Sequence, residues 1–218
     1  EFLTQLVQKK GTSLSDKSLR LTTAAHMVNM IKFLTVKMKF KKQMQLDSIK
    51  EDLRVAKEVC IKEMNEFFLK ISPYGEVINE NNPEKRKSLL QKYKNDKHKD
   101  ALLFKPMPQV ALFKAIQFLK KQSDMDVDAI YRGANKIDFA YNSELQHNWK
   151  NLVIASGGTI LTSAKVEALL SDILIYFIAG KSKCEKLKNG KEWLDELLNR
   201  YKEQLEDDNI KNLPTPIF

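Results

Sequence analysis

Apolar side chains occupy nearly every face of one segment, residues 163–179. A helix that is apolar on almost all sides is normally buried inside a protein. Thr162 or Ser163 can cap its first turn by accepting backbone N–H groups, and Gly180 can end it in a left-handed conformation. Its uninterrupted apolar stretch is shorter than the roughly 20 residues that cross a bilayer. The pattern therefore predicts a central, buried core helix and no membrane span.

The first part of the chain is predicted to contain long helices, because no Gly or Pro occurs in residues 12–72. Ser13 or Ser15 can cap one of them, and its apolar positions recur with helical spacing across residues 19–38. Near its end, residues 36–41 alternate between apolar and basic, as a strand would, so both structures stay open for that turn.

A second long helix is predicted to begin at Ser48–Glu51, where Ser and Glu can satisfy each other's backbone donors in a capping box. We expect Pro73–Gly75 to end it and residues 76–82 to form a polar loop. Asn82 followed by Pro83 then supplies an N-cap and a proline at the first helical position, which predicts the start of a short, strongly basic helix.

Later segments repeat the helical pattern, and Pro214 and Pro216 make the tail, residues 207–218, extended. The predicted helices cover residues 110–121, residues 126–132 with Asp124 or Asp126 as cap, residues 143–153 and residues 193–205. The sequence thus predicts an all-α fold, an irregular bundle of about seven to nine helices around the central one. Its expected organisation is a basic N-terminal lobe, residues 1–100, and a C-terminal lobe, residues 101–206.

Positive charge is concentrated in the first half of the chain. The formal net charge is +9, and residues 1–100 contain 21 Lys and Arg against 13 Asp and Glu. Such an excess favours polyanions, although Lys and Asn enrichment can also be a compositional bias without function. Two clusters carry the excess. The predicted phosphate-binding residues are Lys37, Lys39, Lys41 and Lys42 in the first cluster and Lys85, Arg86, Lys87, Lys92 and Lys94 in the second.

An aromatic side chain accompanies each cluster, Phe40 in the first and Tyr93 in the second. Cations on phosphates together with an aromatic ring that stacks a base hold single strands without sequence preference. The alternative is a solvated helix face whose aromatic residues point inward, and for each ring taken singly the inward position is favoured.

Motifs of known chemistry fail at required positions. Gly180-Lys181-Ser182 ends like a phosphate-binding loop but lacks the earlier glycine and the preceding strand. Asp124–Asp128 opens like a calcium-binding loop, yet Ala129 and Asn135 stand where that loop needs Gly and Glu. The three histidines and two cysteines lie outside any metal, redox or protease signature. We therefore expect no catalytic residues, no metal and no cofactor, hence a protein that is not an enzyme.

The ends of the chain carry apolar residues that could dock on a neighbouring subunit. Phe2, Leu3 and Leu6 have amphipathic helical spacing, and Ile217 and Phe218 close the tail. Arms of this kind build head-to-tail assemblies, although they can equally fold back on their own domain or fray. Two cysteines and no signal-peptide pattern favour a reducing, cytoplasmic location.

The first functional hypothesis is a non-enzymatic, self-assembling protein that coats single-stranded RNA as a nucleoprotein or capsid-like protein does, with RNA favoured over DNA. The alternative is a helical protein–protein interaction module, an adaptor or assembly subunit without a nucleic-acid role. A third hypothesis places the same lysines against acidic lipids, but residues 36–42 meet the requirement for a one-sided amphipathic helix only weakly.

Overall fold

The computed structural model describes residues 6–9, 18–35, 46–141, 149–187 and 189–217. Within these ranges the chain forms nine α-helices, one 3₁₀ turn at Ala101–Phe104 and a minimal parallel sheet of β1 (Val7–Gln8) and β2 (Thr22–Thr23). The predicted all-α bundle is confirmed. The helices are α1 (Ala24–Thr35), α2 (Leu46–Lys70), α3 (Ser72–Asn79), α4 (Pro83–Tyr93), α5 (Pro106–Gln122), α6 (Val127–Ala134), α7 (Ala164–Ala179), α8 (Lys181–Cys184) and α9 (Gly190–Leu205).

Helix α7 is the predicted central helix, and the structure confirms its caps. The Val166 N–H donates to Ser163 Oγ at 3.2 Å, and Gly180 ends the helix with a φ of 75°. Apolar side chains are buried around the helix, and its main packing partner is α5. Both helices bury several successive residues because neighbours cover them on more than one side.

Five aromatic rings, one each from α3, α5 and the 3₁₀ turn and two from α2, fill the core between these elements. Phe67 on α2 lies edge-on to Phe113 on α5, with ring centroids 5.2 Å apart, and contacts Tyr74 at 5.7 Å. Tyr74 is fully buried and its hydroxyl donates to the Leu103 carbonyl. Such edge-to-face pairs stabilise a core beyond the apolar area that they bury. The cluster consists of Phe67, Phe68, Tyr74, Phe104 and Phe113.

The predicted polar loop at residues 76–82 is wrong over its first half, because α3 continues to Asn79. Pro73 lies in the first turn of α3, where a helix needs no backbone N–H. Pro73 therefore marks the start of α3 as well as the end of α2. The chain turns at Ile71, which is extended. Buried Tyr74 and Val77 fix α3 against the core, which places Glu76 on its exposed side.

Two other boundaries differ from the predicted ones. Residues 18–23 are not helical, and the His26 N–H donates to Thr23 Oγ1 at 3.3 Å, so Thr23 caps α1. The predicted caps Ser13 and Ser15 lie outside the described residues. Residues 149–153, predicted as the end of a helix, form a turn in which the Val153 and Ile154 N–H groups both donate to the Trp149 carbonyl.

The described parts of the two chain ends pack on the protein's own core. Leu6 is buried, and its carbonyl accepts a 2.8 Å hydrogen bond from the Leu21 N–H. Ile217 is half-buried against the core, and its N–H donates to the Phe177 carbonyl at 3.2 Å. Val7 belongs to a strand and not to the predicted N-terminal helix. One hydrophobic cluster joins residues from both halves, while the division into lobes at residue 100 stays a prediction.

Candidate anion-binding surface

Helix α4 starts as the sequence predicts, and this fixes which of its faces carries the lysines. Asn82 Oδ1 accepts the N–H groups of Glu84 and Lys85 at 3.0 and 3.1 Å, and Pro83 occupies the first turn. Leu90 and Tyr93 are buried, so the opposite side of the helix faces solvent. The exposed basic residues of α4 and of the loop that follows it are Lys85, Lys87, Lys92, Lys97 and Lys99, which we call the α4 surface.

The Tyr93 ring cannot stack a base from this surface. It is 3% exposed, lies parallel to Phe104 at a centroid distance of 5.6 Å, and meets the edge of His98 at 4.9 Å. The Tyr93 ring therefore points inward, which is the position that the sequence favours for a single ring, and it anchors α4 to the aromatic cluster. Phe40 lies outside the described residues.

Two of the predicted phosphate-binding residues form hydrogen bonds that stabilise the fold. Lys94 is 4% exposed, and its ammonium donates to the Ser18 carbonyl at 2.5 Å, which ties the chain before β2 to the end of α4. The Arg86 guanidinium donates to the Glu80 carbonyl through Nε at 3.0 Å and Nη2 at 2.6 Å, closing the α3–α4 turn. The α4 surface therefore excludes Lys94 and Arg86. The first predicted cluster, Lys37, Lys39, Lys41 and Lys42, lies outside the described residues.

A polar pocket of about 350 Å³ lies at the C-terminal end of α4. Lys92 and Lys99 of the α4 surface line it, so cationic side chains stand beside a concavity. The end of α4 and the loop after it supply three more residues of its wall, and the distant α3 and the end of α6 supply the other three. These residues are Ser72, Glu76, Tyr93, His98, Asp100 and Asn135.

Most polar groups of the pocket are held by internal hydrogen bonds. Glu76 accepts from Ser72 Oγ at 3.1 Å and from the Tyr93 hydroxyl. Burial, together with the Glu76 carboxylate, raises the pKa of Tyr93 above its ordinary value, so the phenol stays a donor. Asn135 accepts from the Ser72 N–H and donates to the Lys70 carbonyl, both at 2.8 Å. These hydrogen bonds hold several of the side chains that line the pocket in place.

His98 and Asp100 lie side by side in the pocket wall. The Asp100 N–H donates to His98 Nδ1 at 3.2 Å. One Asp100 carboxyl oxygen is 3.5 Å from the same Nδ1. Burial raises the pKa of the Asp100 carboxyl, an effect that Lys99 and His98 oppose and that Asp138 and Glu76 reinforce.

This pKa shift predicts a pH dependence of stability. In the unfolded chain Asp100 has its ordinary pKa near 3.8, and in the folded state the pKa is higher. Between the two values the folded state binds more protons, so the free energy of unfolding falls as pH rises through that window. Asp100→Asn removes this ionisation. We expect its free energy of unfolding to fall less than that of the wild type between pH 4 and pH 7, measured by urea denaturation.

The matched control is Asp208→Asn, at an exposed position of the tail. Wild type and Asp208→Asn should have parallel profiles of unfolding free energy against pH, and Asp100→Asn should diverge from both. Three parallel profiles would show that burial of Asp100 does not penalise its charge.

The described residues offer little else for covalent or metal chemistry. They contain no group of three His, Cys, Asp or Glu side chains that could hold a metal ion. Burial raises the pKa of Cys184 to about 12, so this thiol is not a nucleophile at neutral pH. Burial likewise lowers the pKa of His26. Within the described ranges, the arrangement best suits binding of an anionic group by the lysines beside the pocket.

No protein-family model, no curated protein and no solved structure matches this chain. Among the described residues, no helix is both long enough and apolar enough to cross a bilayer. The case for a function therefore depends on the arrangement of the residues themselves.

The pocket is the feature that sequence inspection missed. Its acidic and histidine residues, Glu76, His98 and Asp100, come from segments without shared spacing, and Glu76 was placed in a loop. The one available signal was the density of Lys, His and Asp in residues 92–100, directly after a well-capped helix.

Proposed function

We propose that the α4 surface binds single-stranded RNA through its phosphates. One observation carries this proposal: five exposed lysines lie on α4 and the loop after it, two of them line a polar pocket, and within the described residues none of the five forms a salt bridge. Cations that form no salt bridge can bind phosphates, and this binding releases the ions condensed on the polyanion. The exposed acidic residues beside them are Glu84, Asp96 and, in the pocket, Glu76, so the surface keeps a positive excess.

The spacing of the lysines suits a flexible strand. Lys85 and Lys92 lie two turns apart on one face of α4, about 10.5 Å along its axis. Lys99 continues the same side into the pocket wall. A single phosphate cannot reach all three ammonium groups, whereas a strand that crosses the helix can.

The pocket supports RNA over DNA. We infer that it receives one nucleotide, whose phosphate contacts Lys92 and Lys99. The carboxylates of Glu76 and Asp100 then accept hydrogen bonds from a donor such as the ribose 2′-hydroxyl, the group by which proteins distinguish RNA. A deoxyribose lacks that donor.

Coating of RNA by several copies in the cytoplasm extends this proposal. Assembly was predicted to use both chain ends, but Leu6 is occupied by its own core and Ile217 packs against it. Any contribution of the ends to a neighbouring subunit would therefore depend on Phe2, Leu3 and Phe218, which lie outside the described residues.

The test is a matched pair of charge reversals. Lys85, Lys92 and Lys99 are replaced by Glu in one variant, and Lys186, Lys191 and Lys211, exposed and outside the α4 surface, in the other. Binding of a labelled single-stranded RNA is followed by fluorescence anisotropy from 50 to 300 mM salt. We expect the first variant to lose affinity about tenfold or more at 50 mM and its salt slope to fall by about 2. The control should stay close to wild type.

Equal losses in both variants would show that only the overall charge matters, which is the compositional alternative. Unchanged affinity and salt slope in the α4-surface variant would overturn the proposal. A DNA strand of the same sequence tests the pocket separately, since equal affinities for RNA and DNA would remove the role assigned to the 2′-hydroxyl. Circular dichroism of each variant establishes that it is folded.

A further inference from the structure

An open apolar groove of about 620 Å³ separates α1 from the middle of α2, residues 53–65. Its sides are the exposed face of α1 and one stripe of α2, and three of its lining residues, Thr35, Lys57 and Asn65, are polar. The residues that line it are Met27, Ile31, Thr35, Leu53, Ala56, Lys57, Cys60, Ile61, Met64 and Asn65.

The groove exposes large aliphatic side chains that a folded chain usually covers. Ile31, Leu53 and Ile61 retain 36%, 55% and 49% of their surface. Single exposed aliphatic residues are ordinary, but a contiguous set with a concave shape marks an interaction site. Met27 and Met64 add flexible side chains that adapt to different partners.

The shape of the groove identifies the kind of partner. Toward its C-terminal end α2 is buried in the aromatic cluster through Phe67 and Phe68, whereas the part from Leu53 to Ile61 leaves one apolar stripe open beside α1. Two helices with an apolar cleft between them form the kind of surface on which an amphipathic helix lays its apolar face.

The charges at the groove select an acidic partner. Lys57 lines the groove, and Lys32 lies on the side of α1 that also carries Thr35. Both lysines are exposed, and within the described residues neither forms a salt bridge. Three described carboxylates of α2 already have partners, since Glu58 pairs with Arg54, Glu63 with Lys120, and Glu66 with Lys120 at 2.6 Å and Lys70 at 3.1 Å.

A second copy of the chain fits the groove less well. A two-fold contact would bring the same face of both copies together, so that Lys57 and Lys32 would add positive charge from both sides. The whole chain carries a net charge of +9, so self-association works against that repulsion as well. An acidic helix meets neither obstacle.

We propose that the groove between α1 and α2 binds an amphipathic helix from a partner protein, with acidic residues on both flanks of its apolar stripe. This interaction is independent of the α4 surface, and it gives the interaction-module hypothesis a location. The apolar stripe enters between Ile31, Leu53 and Ile61, and the acidic flank faces Lys57 and Lys32.

The probe is a labelled synthetic helical peptide of about 18 residues, with Leu at positions i, i+3, i+4 and i+7 and Glu on both flanks. Fluorescence anisotropy against the whole chain should give a dissociation constant on the order of 10 µM. Ile61→Glu should weaken binding at least about tenfold. Val55→Glu is the matched control, because Val55 lies on the same helix, is 46% exposed and does not line the groove.

A second pair of measurements tests the charge argument. With Lys replacing every Glu the peptide should bind at least about fivefold more weakly, and Lys57→Glu should reverse the preference between the two peptides. No binding of the acidic peptide below about 1 mM, or equal effects of Ile61→Glu and Val55→Glu, would overturn the proposal.

Two further results would assign the groove to another occupant and equally overturn the proposal. One is a dimer of the wild-type chain in sedimentation equilibrium that Ile61→Glu dissociates. The other is co-sedimentation with phosphatidylserine vesicles that Ile61→Glu abolishes and Val55→Glu retains. The α4-surface variant should bind the acidic peptide as the wild type does, so failure of RNA binding and failure of this proposal can be told apart.

Discussion

Truncation of Leu174 to alanine should lower the free energy of unfolding by about 2–5 kcal/mol. Leu174 is fully buried near the middle of α7, the helix that packs most extensively with α5. The loss combines the transfer of the removed methyl and methylene groups with the cavity that they leave, because the surrounding helices relax only in part. Urea denaturation followed by circular dichroism measures it.

Leu53→Ala is the matched control, since it makes the same chemical change at a side chain that is 55% exposed. Its free energy of unfolding should stay within about 0.5 kcal/mol of the wild type. Equal losses for both variants would mean that α7 is not the centre of the core. A large loss for Leu53→Ala alone would mean that another part of the folded chain covers the α1–α2 groove.

Replacement of Phe67 by alanine should lower the free energy of unfolding by about 3–5 kcal/mol. Phe67 is fully buried, and its ring touches those of Phe68, Tyr74 and Phe113. Loss of this ring removes contacts between α2, α3 and α5 together. Phe67→Leu keeps much of the apolar volume, so it should lose considerably less.

A double-mutant cycle on Phe67 and Phe113 isolates their contact. The two rings meet edge to face at 5.2 Å, so the coupling energy should be about 0.5–1.5 kcal/mol in favour of the pair. A coupling near zero would show that ring geometry contributes nothing beyond buried area. A Phe67→Leu variant as unstable as Phe67→Ala would contradict the expectation that the apolar volume of Leu replaces much of the ring.

The aromatic cluster also positions both candidate interaction surfaces. Tyr93 stacks on Phe104 and thereby fixes the end of α4, beside which the polar pocket lies. Phe67 and Phe68 fix the C-terminal end of α2, whose middle part, residues 53–65, forms one wall of the apolar groove. Core variants should therefore be compared for binding only under conditions in which they remain folded.

Local chemistry allowed several elements to be predicted from the sequence. The Asn82 cap with Pro83, the Asp126 cap of α6 and the boundaries of α7 at Ser163 and Gly180 all depend on side chains within a few residues of the helix end. The burial of α7 follows from its apolar residues, which surround nearly the whole helix and can be read directly from the sequence. The excess of positive charge in residues 1–100 is likewise a property of the sequence.

Only the tertiary structure shows the contacts that these residues make with distant parts of the chain. The sequence presents Lys94 as one lysine among its neighbours, yet the Ser18 carbonyl, 76 positions earlier, binds its ammonium. Pro73 and Gly75 look like the end of a helix, yet packing of Tyr74 and Val77 continues the chain as α3. In the polar pocket, Glu76, His98 and Asn135 come together from separate segments. Helix caps and burial patterns are local, whereas pockets, grooves and buried ion contacts depend on which distant segments pack together.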